Sequence, residues 1–213
     1  MTRRISGLFM SVGALVFIIG VTRPVILDFV GVASSWHRRQ LIELNYGEWL
    51  FGNLGMGVGG LIIGAGIVIF AFAVHKRTPN WIYRLLAYAA AITGIVATFC
   101  WMYTRVGHLI VPTEVVVFGL PESYNIAYDL YTGLIILSLI LTGFVTLLTF
   151  SRIGGVLIMA AEIGVVWIAL ALWNEIIPGV HPPAAFVAGV ILMIAPSLEL
   201  RRNTEPLLDT SHC

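Results

Sequence analysis

The most informative run of the chain is IGGVLIMAAEIGVVWIALALWNEIIPGVHPP, residues 153 to 183. It is apolar over a membrane-spanning length, carries a single ionisable residue, Glu162, in that part, and ends in a polar cluster of Asn174, Glu175 and His181. Because a helix rises 1.5 Å per residue, a carboxyl group nine residues into the span lies roughly 13 Å deep. The run therefore predicts a membrane helix with an interior carboxyl group, which is costly and so indicates a paired or functional residue.

The composition of the whole chain also indicates a membrane protein. The 213 residues are 59% hydrophobic and 11% charged, with a mean hydropathy of +0.95. A soluble domain carries about 25% charged residues. Six stretches are long and apolar enough, or nearly so, to span a bilayer: residues 6–23, 49–75, 84–105, 128–150, 153–177 and 183–200. We expect an all-α polytopic protein, with six transmembrane helices in one bundle over residues 1–200 and a short cytoplasmic tail over 201–213.

The basic residues predict the orientation of the bundle. With the N-terminus inside, eight of the twelve Lys and Arg residues fall on the inner side and four on the outer side. Cytoplasmic loops carry such an excess, so we expect both termini to be cytoplasmic in a cell membrane. The first span begins with basic residues, as a signal peptide does, but no small-residue cleavage site follows it. We interpret it as a helix of the bundle.

A weak internal similarity suggests an organisation in three helical hairpins. AAITGIV at residues 90–96 aligns with AAEIGVV at 160–166, and GLII occurs at residues 60–63 and 133–136. Each predicted outer loop would then hold one histidine: His37, His108 and His181. Apolar helices share letters by chance, so the hairpin repeat stands beside a plain six-helix bundle as an alternative.

The buried carboxyl group of Glu162 has two interpretations. In the first, it belongs to a proton or ion pathway together with polar residues of the predicted outer face, namely Asp129, Asn174 and Glu175. In the second, it is neutral and hydrogen-bonded to a threonine of a neighbouring helix, for which the candidates are Thr93, Thr142 and Thr146. Composition does not decide between a pathway and a structural hydrogen bond.

A metal site on the predicted outer face is a further interpretation. Nitrogen and oxygen ligands for zinc, copper or iron would come from His37, His108, His181 and Glu114. No pair of them has the spacing of ligands on one helix, and HExxH is absent. Because no histidine lies centrally in a predicted span, haem ligation is disfavoured. The cofactor is therefore open, with a metal ion as one candidate.

Glycines in the second span predict close helix packing. The run GNLGMGVGGLIIGAG contains Gly55 and Gly59, and then Gly60 and Gly64, at four-residue spacing. Small residues at this spacing let two helices approach closely in lipid, where no hydrophobic effect drives association. We expect this face to pack inside the bundle or against another subunit.

The sequence carries none of the usual catalytic signatures. There is no GxSxG, P-loop or CxxC motif, and the net charge of +1 gives no reason to expect nucleic acid. The leading hypothesis is therefore a non-catalytic membrane subunit of a larger complex or homo-oligomer. The alternatives are a small proton-coupled transporter or channel that uses Glu162, and a membrane metal or redox protein that uses the outer histidines.

Overall fold

The computed structural model describes residues 1–30, 43–110, 122–173 and 181–200, and their side chains except at 23–30, 108, 110 and 195–200. The regular secondary structure of these residues is entirely α-helical. The helices are α1 (Thr2–Val30), α2 (Tyr46–Arg77), α3 (Trp81–Ile110), α4 (Glu122–Thr149), α5 (Arg152–Trp173) and α6 (His181–Leu200). The prediction of an all-α bundle is confirmed. The predicted tail, residues 201–213, lies outside the described residues.

Five of the described helices are long and apolar enough to cross a membrane. Their candidate spans are Thr2–Thr22, Tyr46–Arg77, Trp81–Gly107, Glu122–Thr149 and Arg152–Leu172, and α6 contributes a shorter apolar stretch, His181–Ile194, over its described side chains. The chain is therefore a multi-pass helical membrane protein. Several helices extend past the predicted spans, because a helix continues into polar residues beyond the last apolar one.

The six helices form a closed ring. Each described helix packs against the next one along the chain, and α6 packs against α1. The α4 helix also touches α2 and α6 across the ring. Neighbours in sequence are thus neighbours in space, as short connections favour. The organisation in three repeated hairpins remains a prediction.

Glycines bring α2 close to both of its neighbours. A Cβ atom added at Gly59 would lie 2.5 Å from the backbone nitrogen of Phe17 in α1, and one at Gly55 would lie 3.1 Å from Cα of Gly20. On the other side, Cβ atoms at Gly60 and Gly64 would crowd Trp101 and Thr98 of α3. The glycine-rich face of α2 is therefore covered by helices of the same chain.

The α6 helix begins inside the bundle. Its first residue, His181, is 1% exposed and contacts Glu162, which lies ten residues after Arg152 and eleven before Trp173 in α5. At 1.5 Å per residue, the start of α6 is level with a point about 15 Å along α5. The sequence interpretation placed His181 in an outer loop instead. Pro182 and Pro183 suit this position because the first helical turn needs no N–H from them.

Candidate functional site

A buried carboxyl–imidazole pair lies in the interior of the ring. Oε1 of Glu162 is 2.7 Å from Nδ1 of His181, and the two side chains are 0% and 1% exposed. Contact at this distance requires a proton between the two atoms. Either the imidazole N–H donates to a carboxylate, or the carboxyl O–H donates to an imidazole nitrogen. The hydrogen bond offsets part of the cost of removing both groups from water.

The second polar atom of each group in the pair is also buried. Neither Oε2 of Glu162 nor Nε2 of His181 has a hydrogen-bond partner within the described ranges. Buried polar atoms in native proteins nearly always have partners, so two such atoms in adjacent groups indicate a place for a proton, a water molecule or a ligand. The pair can therefore gain or lose a proton at an atom that is not hydrogen-bonded to any described residue.

The three threonines proposed as partners of Glu162 bond elsewhere. Thr142 donates to the carbonyl of Ser138 at 2.9 Å, and Thr146 donates to the carbonyl of Thr142 at 2.7 Å. Thr93 likewise donates to carbonyls of its own helix. Threonines within helices often bond back to the preceding turn, which leaves them unable to donate to a neighbouring helix. The carboxyl group of Glu162 uses a histidine instead.

A series of aromatic side chains connects the pair to residues of α3 and α1. The Tyr131 ring lies edge-on to His181, with 6.4 Å between centroids, and 4.6 Å from the Trp101 ring. Trp101 in turn stacks on Phe17 at 5.2 Å. The indole N–H of Trp101 donates to the backbone carbonyl of Met56 at 3.0 Å, which fixes the ring. Aromatic pairs at these separations are favourable beyond the area that they bury.

Arg105 adds a positive charge to this interior cluster. Its guanidinium carbon lies 4.1 Å from the centroid of Trp101, and Nη1 is 3.2 Å from Oδ1 of Asn53. The side chain is 7% exposed, and its Nε atom has no hydrogen-bond partner among the described residues. From the sequence, Arg105 counts only as one of the four basic residues expected on the outer side. The four-residue spacing between Trp101 and Arg105 puts both on one helix face, and this spacing could have indicated their contact.

Of the remaining predicted pathway and metal residues, only Asp129 has a described side chain, and it does not join the cluster. Asp129 is exposed on α4, whereas Glu162 is fully buried. His108 lies on α3 with its side chain undescribed. Residues His37, Glu114, Asn174 and Glu175 fall outside the described residues. Within the ranges that are described, no three His, Cys, Asp or Glu residues lie close enough together to hold a metal ion.

Every helix of the ring contributes to the cluster. The contributors are Phe17 from α1, Asn53 from α2, Trp101 and Arg105 from α3, Tyr131 from α4, Glu162 from α5 and His181 from α6. Intramembrane ionisable residues face a bundle interior or a water-filled cavity, pair with one another and are candidates for ion or proton paths. Such a cluster can bind a proton in the interior of the bundle.

Comparisons with protein-family models, with curated proteins and with solved structures find no match to the chain. A functional assignment therefore depends on the chemistry of the chain's own residues.

Proposed function

We propose that the chain is a proton-coupled membrane transporter or channel in which the Glu162–His181 pair takes up and releases the proton. The observation that carries the proposal is the pair itself, buried midway along α5, with one atom of each group lacking a partner among the described residues. An ion pair kept only for stability gains little, because desolvation offsets the attraction. A buried ionisable pair is instead expected where function requires the site to change its charge.

The pair can act as one proton-binding unit. A carboxyl group and an imidazole can each bind a proton, and two such groups in contact bind protons as one unit rather than singly. Successive protons change the net charge of the pair from −1 to 0 to +1. In a low-dielectric interior, each such step changes its interaction with neighbouring charges far more than it would in water. The guanidinium of Arg105 belongs to the same interior cluster and is connected to the pair through the rings of Trp101 and Tyr131.

The position of the pair suits a coupling role. The pair joins α5 to the first residue of α6. Of the candidate spans, α5 is also the least buried: 22% of its most apolar 18-residue stretch is buried, against 61% for α2. A helix with few buried groups moves at low cost in free energy. Adding a proton to the pair would alter the bond that holds α5 to α6, so proton binding and helix position would be linked.

The experiment that tests this function uses the proton as the probe, since the transported substrate is not needed. The protein is reconstituted on a solid-supported membrane and given a pH jump, and the charge displacement is recorded. We expect a transient displacement from a coupled transporter, or a sustained current from a channel. Glu162→Gln should abolish it, whereas Asp129→Asn, which alters an exposed carboxyl group, should retain it. A wild-type response from Glu162→Gln would refute the proposal.

A second candidate function is that of a membrane subunit or homo-oligomer. The exposed side of α5 favours it, since Trp167 is 70% exposed and Ile163 is 59% exposed on the same helix face. The glycines of α2 no longer favour it, because α1 and α3 cover them. If α5 binds another subunit, Trp167→Ala should lower the native mass in mild detergent. An unchanged mass would leave that face to lipid and remove this candidate.

A further inference from the structure

We infer that the chain binds one anionic phospholipid at the end of the bundle where α1 begins. The phosphate would lie in a basic pocket, lined by Arg3, Arg4, Lys76 and Arg77, and an acyl chain would lie in an apolar groove beside it. The inference concerns one end of the bundle, whereas the Glu162–His181 pair lies midway along α5, and it does not depend on the proposed proton coupling.

The basic pocket holds four cationic side chains around about 500 Å³ of space. Arg3 and Arg4 come from the first turn of α1, and Lys76 and Arg77 come from the last turn of α2. Lys and Arg side chains close to a membrane surface attract anionic lipid headgroups, and basic pockets between transmembrane helices bind them.

Phe150 positions two of these cations. The guanidinium carbons of Arg3 and Arg77 each lie 5.1 Å from the centroid of its ring. Nε of Arg77 also donates to the backbone carbonyl of Thr149 at 2.9 Å. A guanidinium held in this way loses less rotational freedom when it binds, and its planar fork matches two oxygens of a phosphate. The pocket is therefore built for a phosphate rather than for a single small anion such as chloride.

The apolar groove distinguishes a phospholipid from a soluble phosphate. It is a second cavity of about 390 Å³, and it shares Met1 and Arg4 with the basic pocket. Its other lining residues are Ile5, Leu8 and Met193, and Ile5 and Leu8 are 39% and 51% exposed. Ile5 and Leu8 lie along α1 from its basic end toward the middle of its span, and Met193 belongs to α6. A charged pocket that continues into a membrane-facing apolar groove has the amphipathic shape of a phospholipid.

The charge of the pocket is tested by native mass spectrometry of the full chain in detergent. The probes are phosphatidylglycerol and phosphatidylcholine with identical acyl chains. Each Lys or Arg near the surface contributes about fivefold to the affinity for anionic lipid. The double variant Arg4→Gln with Lys76→Gln, at two exposed positions, should therefore bind phosphatidylglycerol roughly 25-fold more weakly. Arg152→Gln, which alters an exposed arginine at the same end of the bundle but outside both cavities, should weaken binding by no more than about fivefold. Equal losses in the two variants, or equal wild-type binding of both lipids, would overturn the inference.

The groove is tested by filling it. Leu8→Trp should weaken phosphatidylglycerol binding, whereas Leu15→Trp, at a position 47% exposed on the same helix and outside both cavities, should not. Inorganic phosphate, added as a competitor, should displace the lipid poorly because it cannot use the groove. Full displacement by inorganic phosphate at the lipid's own concentration, or equal binding by the two tryptophan variants, would show a phosphate site without a lipid and overturn the inference.

Discussion

The Glu162–His181 bond should show a large energetic coupling when both partners are replaced. Glu162→Leu leaves a buried imidazole without its partner, and His181→Leu leaves a buried carboxyl group, because the side chains are 0% and 1% exposed. Each single change should cost about 3 kcal/mol, since an orphaned buried group that can ionise costs more than a neutral one. The double variant removes both polar groups and should cost about the same as one single variant. Subtraction then gives a coupling energy of about 2–3 kcal/mol.

The assay is reversible unfolding of the purified protein in mixed micelles, with the free energy of unfolding measured for all four members of the cycle. A matched control cycle pairs His181→Leu with Asp129→Leu, which is exposed and outside the cluster. Those two changes should add within about 0.5 kcal/mol. If the Glu162 and His181 variants also add within that margin, the hydrogen bond in the structure does not exist in the folded protein.

Three further predictions follow from the packing. Gly59→Ala should lower the free energy of unfolding by about 1–3 kcal/mol because its Cβ meets α1 backbone, whereas Gly133→Ala, which meets nothing within 4 Å, should raise it by about 0.5–1 kcal/mol. Trp101→Phe should cost about 1–2 kcal/mol in the same assay, since it loses an N–H donor and weakens the cation–π contact. In a background without the two native cysteines, Ala184→Cys, at 2% exposure, should resist a membrane-impermeant maleimide, while exposed Glu122→Cys should react. Labelling of position 184 at the rate of position 122 would place the start of α6 at the aqueous surface.

The helices were predictable because each depends on local hydropathy. Burying a helical backbone in lipid requires about 20 apolar residues in a row, and that requirement is visible in the sequence. Glu162 was also identifiable, since a lone carboxyl group in such a run is costly wherever the helix packs. The close packing at Gly59 was expected from residue size alone, and the structure places α1 against it.

The partners of Glu162 were not predictable in the same way. His181 stands before two prolines, a pattern typical of a helix start, and helix starts in membrane proteins are usually at the surface. Only the contact with the middle of α5 shows that this start is buried. Arg105 follows an apolar run, so the sequence suggests that its charge lies at the membrane–water interface. Its burial depends on Trp101 and Asn53, which belong to two different helices, so the distance between them is a property of the fold.

The most direct test of the account is infrared difference spectroscopy of the lipid-reconstituted protein, recorded over a pH range from acidic to alkaline. If the Glu162–His181 pair takes up a proton, the wild-type spectrum should contain carboxyl and imidazole bands that titrate together. The carboxyl band should disappear in Glu162→Gln and persist in Asp129→Asn. A spectrum that Glu162→Gln leaves unchanged would mean that the pair does not exchange a proton in this range, and would contradict the proposed proton coupling.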